Sequence, residues 1–270
     1  MPRFNRKLRL RGIAPQPRSA ADIFPANDTE RRAAKDGPTA ASKWLLASVV
    51  QDDATVIAQV FDEADRRDPK HTRVWVALVD GNVHQINRIK AEATARDITV
   101  FIIFIVCDLI HVVEYLWKAT WSLHREADPA AEQWVRRQAL AVLDGKALKV
   151  ARAIRRQATK ADLSPTQRKG ADEAADYLTS KAPYLTYPLA LTSGWPIATG
   201  VIEGACRHIV ADRFDVTGAR WGLNGAEAIL KLRALRSNGD FENYWTWHLA
   251  QERHRIHESR YLNGALPRAA

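Results

Sequence analysis

Residues 74–111 read VWVALVDGNVHQINRIKAEATARDITVFIIFIVCDLIH, and this stretch decides the fold. Val74 to Val79 is an unbroken run of β-forming residues, closed by the turn signal Asp80-Gly81-Asn82. Val83 to Arg96 follows with helical spacing and turns Ile86 and Ile89 to one side. Thr99 to Val106 is a second buried-strand run, ended by Cys107-Asp108. Strand, helix and strand in so short a space predict a βαβ unit, with parallel strands joined by a right-handed crossover. Each strand ends on an acid, Asp80 or Asp108. If the strands are neighbours, both acids reach the sheet rim where α/β proteins place their chemistry.

Upstream, residues 1–42 are basic and rich in Pro, Ala and Arg, without a sustained period, and are expected to be loosely ordered. KWLLASVV (43–50) has the composition of a strand. Asp52 or Asp53 caps a helix carrying Val56, Ile57, Val60, Phe61 and Ala64 inward, and Pro69 stops it. Downstream, residues 112–183 are helical throughout, anchored by Trp117, Trp121, Leu123 and Trp134. Lys149, Arg152, Arg156 and Lys160 recur at spacings of three and four, which places all of them on one helix face. Residues 187–196 read as a loop. Glu203, in ATGVIEGACRHIV, opens a helix, residues 218–221 form a turn, and residues 225–236 form an amphipathic helix. From Gln251 the tail is mixed and charged.

The bulk numbers describe an ordinary globular protein with 46% hydrophobic and 26% charged residues in 270. Its Lys+Arg count of 40 against 31 Asp+Glu gives +9, an excess that favours a polyanionic partner. Cys107 and Cys206 stand in unrelated contexts and suggest neither a disulfide framework nor a zinc site, which fits a reducing cytoplasm. The most apolar stretch, ITVFIIFIV (98–106), falls far short of the ~20 residues a membrane span needs. The basic start MPRFNRKLRLRG lacks the apolar region of a signal peptide.

Asp80, Asp108 and Glu203 come from separate elements, and three such acids suffice to hold the two divalent ions of in-line phosphodiester chemistry. A plainer reading makes Asp80 a turn residue and Glu203 a salt-bridge partner of Arg207 one turn on. The basic stripe tracks a phosphate backbone or is a solvated helix face. Arg207 and His208 hold a DNA strand at the scissile phosphate, or serve in salt bridging and capping. Arg220-Trp221 is a base-stacking platform or a packing residue with its neighbour. Core packing is the expectation for Trp75, Trp117 and Trp121.

WVALVDGN (75–82), DLIHVVEYLWKA (108–119), the ADYL…APYL run (175–185), IATGVIEGACRHIVADRFDVTGARWGLNGAEAILKLRAL (197–235) and NGDFENYWTWH (238–248) together resemble insertion-sequence transposases of the ISKra family. The resemblance runs from about residue 43 to about 255. It implies a DDE transposase whose Mutator-like catalytic domain is an α/β, RNase H-like sheet interrupted by a large all-helical insertion. On that pattern Asp80 is the second catalytic carboxylate and Glu203 the last. Asp108-Leu109-Ile110-His111 resembles the D-x-x-H element beside the site, or Asp108 is itself a metal ligand. His111 holds Asp108, contacts the DNA strand or caps its helix.

The implied cofactors are two Mg2+ (or Mn2+) ions, and the implied partners are double-stranded DNA of transposon ends and target. The resemblance also implies a homo-oligomeric transposition complex in a bacterial cytoplasm, associated with the nucleoid and not with membrane. The chain departs from the family in one respect. The family's first Asp lies in an upstream motif of the D-G-K-G kind, on three antiparallel strands. Residues 1–42 show no such strands, and Asp22, Asp28 and Asp36 sit in Pro/Ala/Arg-rich surroundings. The expectation is therefore the C-terminal portion of a transposase, truncated or frameshifted, with a sheet incomplete at its N-terminal strands. Its parts would be residues 43–114 as the α/β part, 115–196 as the insertion, 197–250 as closing helices with the catalytic Glu, and 251–270 as tail. The other expectation is a catalytically dead, DNA-binding regulatory fragment that modulates an intact transposase.

Overall fold

The computed structural model describes residues 16–98, 102–125, 127–216 and 218–260. The chain divides into two compact units. One comprises residues 16–39 and 57–201, the other residues 40–56 and 202–260.

In the first unit the βαβ reading holds. Strands β1 (Trp75–Val79) and β2 (Ile103–Cys107) are parallel, in register from Trp75↔Ile103 to Val79↔Cys107. The crossover carries the predicted helix, Val83–Ala95, with Ile86 and Ile89 buried. Residues 99–101 of the second apolar run lie outside the described residues.

The RNase H-like sheet is overturned. Among the described residues the sheet has two strands, and the other regular elements are helices. Two strands are marginal alone, so the stability of this unit comes from helix packing. In chain order the helices are α1 (Ala20–Ile23), α2 (Asp28–Ala33), α3 (Asp53–Arg67), α4 (Val83–Ala95), α5 (Leu109–Leu123), α6 (Pro129–Leu143), α7 (Ala147–Lys160), α8 (Pro165–Ser180) and α9 (Tyr187–Thr192), followed by α10 (Gly200–Ala205), α11 (Asp212–Phe214), α12 (Leu223–Asn238) and α13 (Phe241–Ile256).

Helix α5 packs on α6 and α8, and α7 packs on α6 and α8. Val112 and Leu116 of α5, Val142 of α6, Ile154 of α7 and Leu178 of α8 are fully buried in one core with Val79 and Val106 of the strands. Each such side chain contributes roughly 1.5–3 kcal/mol by leaving water. Local chemistry sets the helix starts. Asp128 precedes Pro129 and accepts from Ala130 N–H, and Ser164 with Gln167 forms a capping box ahead of Pro165.

Residues 187–196, expected as a loop, open with α9. Pro188 falls in its first turn, where a missing N–H costs nothing, so the proline starts this helix and does not break one. Residues 16–39, expected to be loosely ordered, hold α1 and α2. Arg18 is buried and donates through its backbone N–H to Leu191 O (2.9 Å) and through its guanidinium to Trp195 O (2.7 Å).

The end of α3 is tied to β1 by Asp68. Its buried carboxylate accepts from the N–H groups of Thr72 (3.1 Å) and Arg73 (2.9 Å) and from the Trp75 indole (3.1 Å). Burial pushes this carboxyl up, but those hydrogen bonds outweigh it and hold the pKa down to about 2. Arg96 ties α4 to α3 through Asp62 (2.8 Å) and Asp65 (2.7 Å).

In the second unit KWLLASVV forms no strand. Its backbone is satisfied by side chains of α12: Leu45 exchanges hydrogen bonds with the Asn238 amide (2.8 and 3.0 Å), and Val49 N–H donates to Glu227 (2.9 Å). Glu227 is buried and also accepts from Ser48 and Lys231. The expected tail from Gln251 is the second half of α13, which packs against α12. No helix of the described residues is long and apolar enough to cross a membrane.

Candidate functional site

Asp80 follows Val79, and Asp108 follows Cys107. Val79 and Cys107 are register partners, so the two acids stand at neighbouring strand ends on the same edge. The ladder continues one step further, because Asp108 N–H donates to Val79 O (2.7 Å). Beyond that step the strands diverge into helices, and two strand-end carbonyls need new partners. Tyrosine hydroxyls supply them. Tyr177 of α8 donates to Asp80 O (3.0 Å), and Tyr187 of α9 donates to Cys107 O (2.9 Å). Gly81 takes φ +94, and a Cβ there would stand 2.9 Å from the Tyr177 hydroxyl, so only glycine fits this turn.

The two acids differ in availability. Asp80 is exposed, and its Oδ1 accepts from Asn82 N–H (2.7 Å). Asp108 is fully buried. Its Oδ1 accepts from Ile110 N–H (2.7 Å) as the cap of α5, and its Oδ2 accepts from Thr199 N–H (3.0 Å) and the Thr199 hydroxyl. His111 Nδ1 is 4.0 Å from the same Oδ2, buried and without a hydrogen-bond partner. Asp108 thus anchors α5 to the segment leading into α10, while Asp80 offers a carboxylate oxygen to solvent. As a hard oxygen donor at a strand end, Asp80 suits a divalent cation.

Cys107 lies between these groups. Burial pushes its thiol up to about 11, so it stays protonated and inert at neutral pH. Burial also raises the Tyr177 and Tyr187 hydroxyls, which keeps both as donors. The charge of buried Lys181, one turn beyond Tyr177, opposes the upward shift of the Cys107 thiol without cancelling it. Nothing in the sequence singled out Tyr177, Tyr187, Lys181 or Thr199. Their roles come from tertiary neighbours, though both tyrosines sit within or beside the quoted ADYL…APYL run.

Glu203 lies on α10, as the sequence predicts for its backbone. Its side chain lies outside the described residues, and so does the expected pair with Arg207. Arg207 is exposed. His208 is held by Asp212 (3.2 Å), and its carbonyl accepts from Arg233. Arg220 is exposed, but the cation lying over the Trp221 ring is Arg213, at 5.1 Å. Phe214 packs on the same ring at 5.3 Å.

Lys149, Arg152, Arg156 and Lys160 line one face of α7, and all are exposed. Among the described residues no acid forms an ion pair with any of them, whereas Arg168 and Lys169 on α8 are both paired. A row of unpaired cations attracts a polyanion more strongly than a salt-bridged face of equal count. Of the three carboxylates expected at the site, the structure brings Asp80 and Asp108 to one edge, with His111 beside Asp108. Compared with family models, with curated proteins and with solved structures, the chain matches none.

Proposed function

We propose that this chain is the carboxylate-bearing region of a DDE-type DNA transposase, acting on double-stranded DNA at transposon ends and target. The observation that carries this reading is the pair of register-matched parallel strands ending on Asp80 and Asp108. Asp80 of the first unit would hold metal, and Glu203 of the second is the other carboxylate that the resemblance assigns to it. Two Mg2+ or Mn2+ ions, when bound, supply activation of the attacking and leaving oxygens of an in-line displacement. Asp108 is the positioning residue, since its carboxylate already accepts from Ile110 and Thr199. Tyr177 and Tyr187 fix the strand-end backbone on which Asp80 and Asp108 ride. The face of α7 with Lys149, Arg152, Arg156 and Lys160 carries phosphate contacts, and in the other unit Arg207, His208, Arg220 and Trp221 are the residues for DNA. The complex is homo-oligomeric, in a bacterial cytoplasm.

Asp80→Asn and Glu203→Gln are expected to remove metal-dependent strand cleavage and to leave duplex affinity within about twofold, because phosphate contacts dominate affinity. Variants that cleave as well as the parent would sink the assignment. The burial of Asp108 favours a second reading, in which the chain binds DNA without cutting it and modulates an intact transposase. That chain would bind duplex with the same salt dependence and cut nothing.

A further inference from the structure

Trp121 is a core residue by sequence, yet 51% of it remains open in the structure. Its inner face stacks on Trp117, with ring centroids 5.3 Å apart, and this stacking holds the indole in place. The indole forms one wall of a shallow groove of about 410 Å3 between α5 and the first turns of α8. Thr166 and Lys169 of α8 line the groove, and Lys118 of α5 stands beside Trp121. The walls are set by backbone. A Cβ on Gly170 would fall 2.4 Å from Lys118 O, so α8 lies directly against α5 at the groove floor.

The groove combines two attractions. The Trp121 face offers stacking surface. Lys118 and the N-terminal end of the sixteen-residue helix α8 bring positive charge, and the exposed Lys169 adds a cation that it shares with Glu173. Glu173 is the one acid in the lining, 3.9 Å from Lys169. Lys118 Nζ lies 4.4 Å from the centre of the Tyr115 ring, one turn before it on α5, and the long side chain can swing from there to a phosphate in the groove. An aromatic platform with adjacent cations binds a base together with its phosphates. A groove of this volume has room for one base.

We propose that the Trp121 groove takes an unpaired DNA base, stacked on the indole, with the flanking phosphates at Lys118 and Lys169. This rests on the reading that the chain acts on DNA, and adds that it works on a strand locally out of the double helix.

The test titrates the full chain with a single-stranded oligothymidylate carrying one 2-aminopurine, and with a blunt duplex of equal length. Trp121→Ala is expected to weaken single-strand binding about 5- to 150-fold, to abolish the 2-aminopurine signal change and to leave duplex affinity within about twofold. Trp121→Phe should retain most of the binding. Should Trp121→Ala fail to fold by circular dichroism, Lys169→Glu carries the test. Its side chain is 75% exposed, and the variant should weaken the same oligonucleotide at least about fivefold. Unchanged single-strand affinity in a folded variant, with duplex binding intact, overturns the groove and leaves the DNA reading standing. A parent chain that binds neither oligonucleotide overturns both.

Discussion

Helices α8 and α13 are each sixteen residues long and make opposite use of their side chains. Helix α8 buries Ala171, Ala174, Ala175, Tyr177 and Leu178, mostly small residues, against α5 and α7. Helix α13 carries Phe241, Tyr244, Trp245, Trp247 and Leu249 and buries none of its residues. Hydrophobicity alone would rank them the other way. Neighbours make the difference. Small residues on α8 let two other helices approach closely, and most helical stability comes from such packing and not from intrinsic propensity. The aromatics of α13 stack mainly on one another along their own helix.

The sharpest way to break this comparison is to delete one large side chain from each helix. Leu178→Ala should cost about 2–5 kcal/mol by denaturant unfolding, since Leu178 is fully buried. Trp247→Ala, at a residue 58% exposed, should fall within about 0.5 kcal/mol. Equal costs would mean that α13 is packed as tightly as α8.

The next effect concerns close approach. Gly170→Ala places a Cβ 2.4 Å from a backbone oxygen and should destabilise by about 1–3 kcal/mol, although alanine is the better helix former. Gly225→Ala, where nothing lies within 4 Å, should be neutral or stabilising by under about 1 kcal/mol. Melting temperatures of the two variants should therefore move apart. A Gly170→Ala variant as stable as the parent would mean that α5 and α8 are free to separate.

A third effect depends on pH. The Asp68 carboxyl titrates lower in the folded chain than in the unfolded one, where an aspartate titrates near ~3.9. Its contribution is complete above pH ~4 and is lost as the pH falls toward about 2. Acid unfolding of the parent should steepen across that window, and Asp68→Asn should flatten it. The smallest effect is chemical. A thiol reagent at pH 8 should label exposed Cys206 and spare buried Cys107, which should react only after denaturation. Labelling of both thiols in the folded chain would contradict the burial described for the β2 end.

The parts legible in the sequence are those written locally. The two apolar runs ending at Asp80 and Asp108 gave the parallel pair, helical spacing gave α3 and α4, and residues 112–183 were legible as helical without the bounds of α5 to α8. The wider RNase H-like sheet came from resemblance, and no residue between 16 and 50 forms a ladder to extend β1 or β2. KWLLASVV has a strand's composition, but its backbone is claimed by Glu227 and Asn238, 178 and 193 residues away along the chain and invisible to any local window. Trp117 and Trp121 are one turn apart and look alike in sequence, yet Trp117 is half-buried and Trp121 exposed, a difference set by tertiary neighbours. The hydroxyls of Tyr177 and Tyr187 were unreadable for the same reason. Nothing within their own helices reveals that they reach the strand ends.

The most direct test of the account is nicking of supercoiled plasmid by the full chain in Mn2+, with the Asp80→Asn variant compared at equal DNA occupancy. Nicked circles are expected with the parent, none after chelation and none with the variant. Plasmid that is bound and left intact, or cut equally well by the variant, would contradict it.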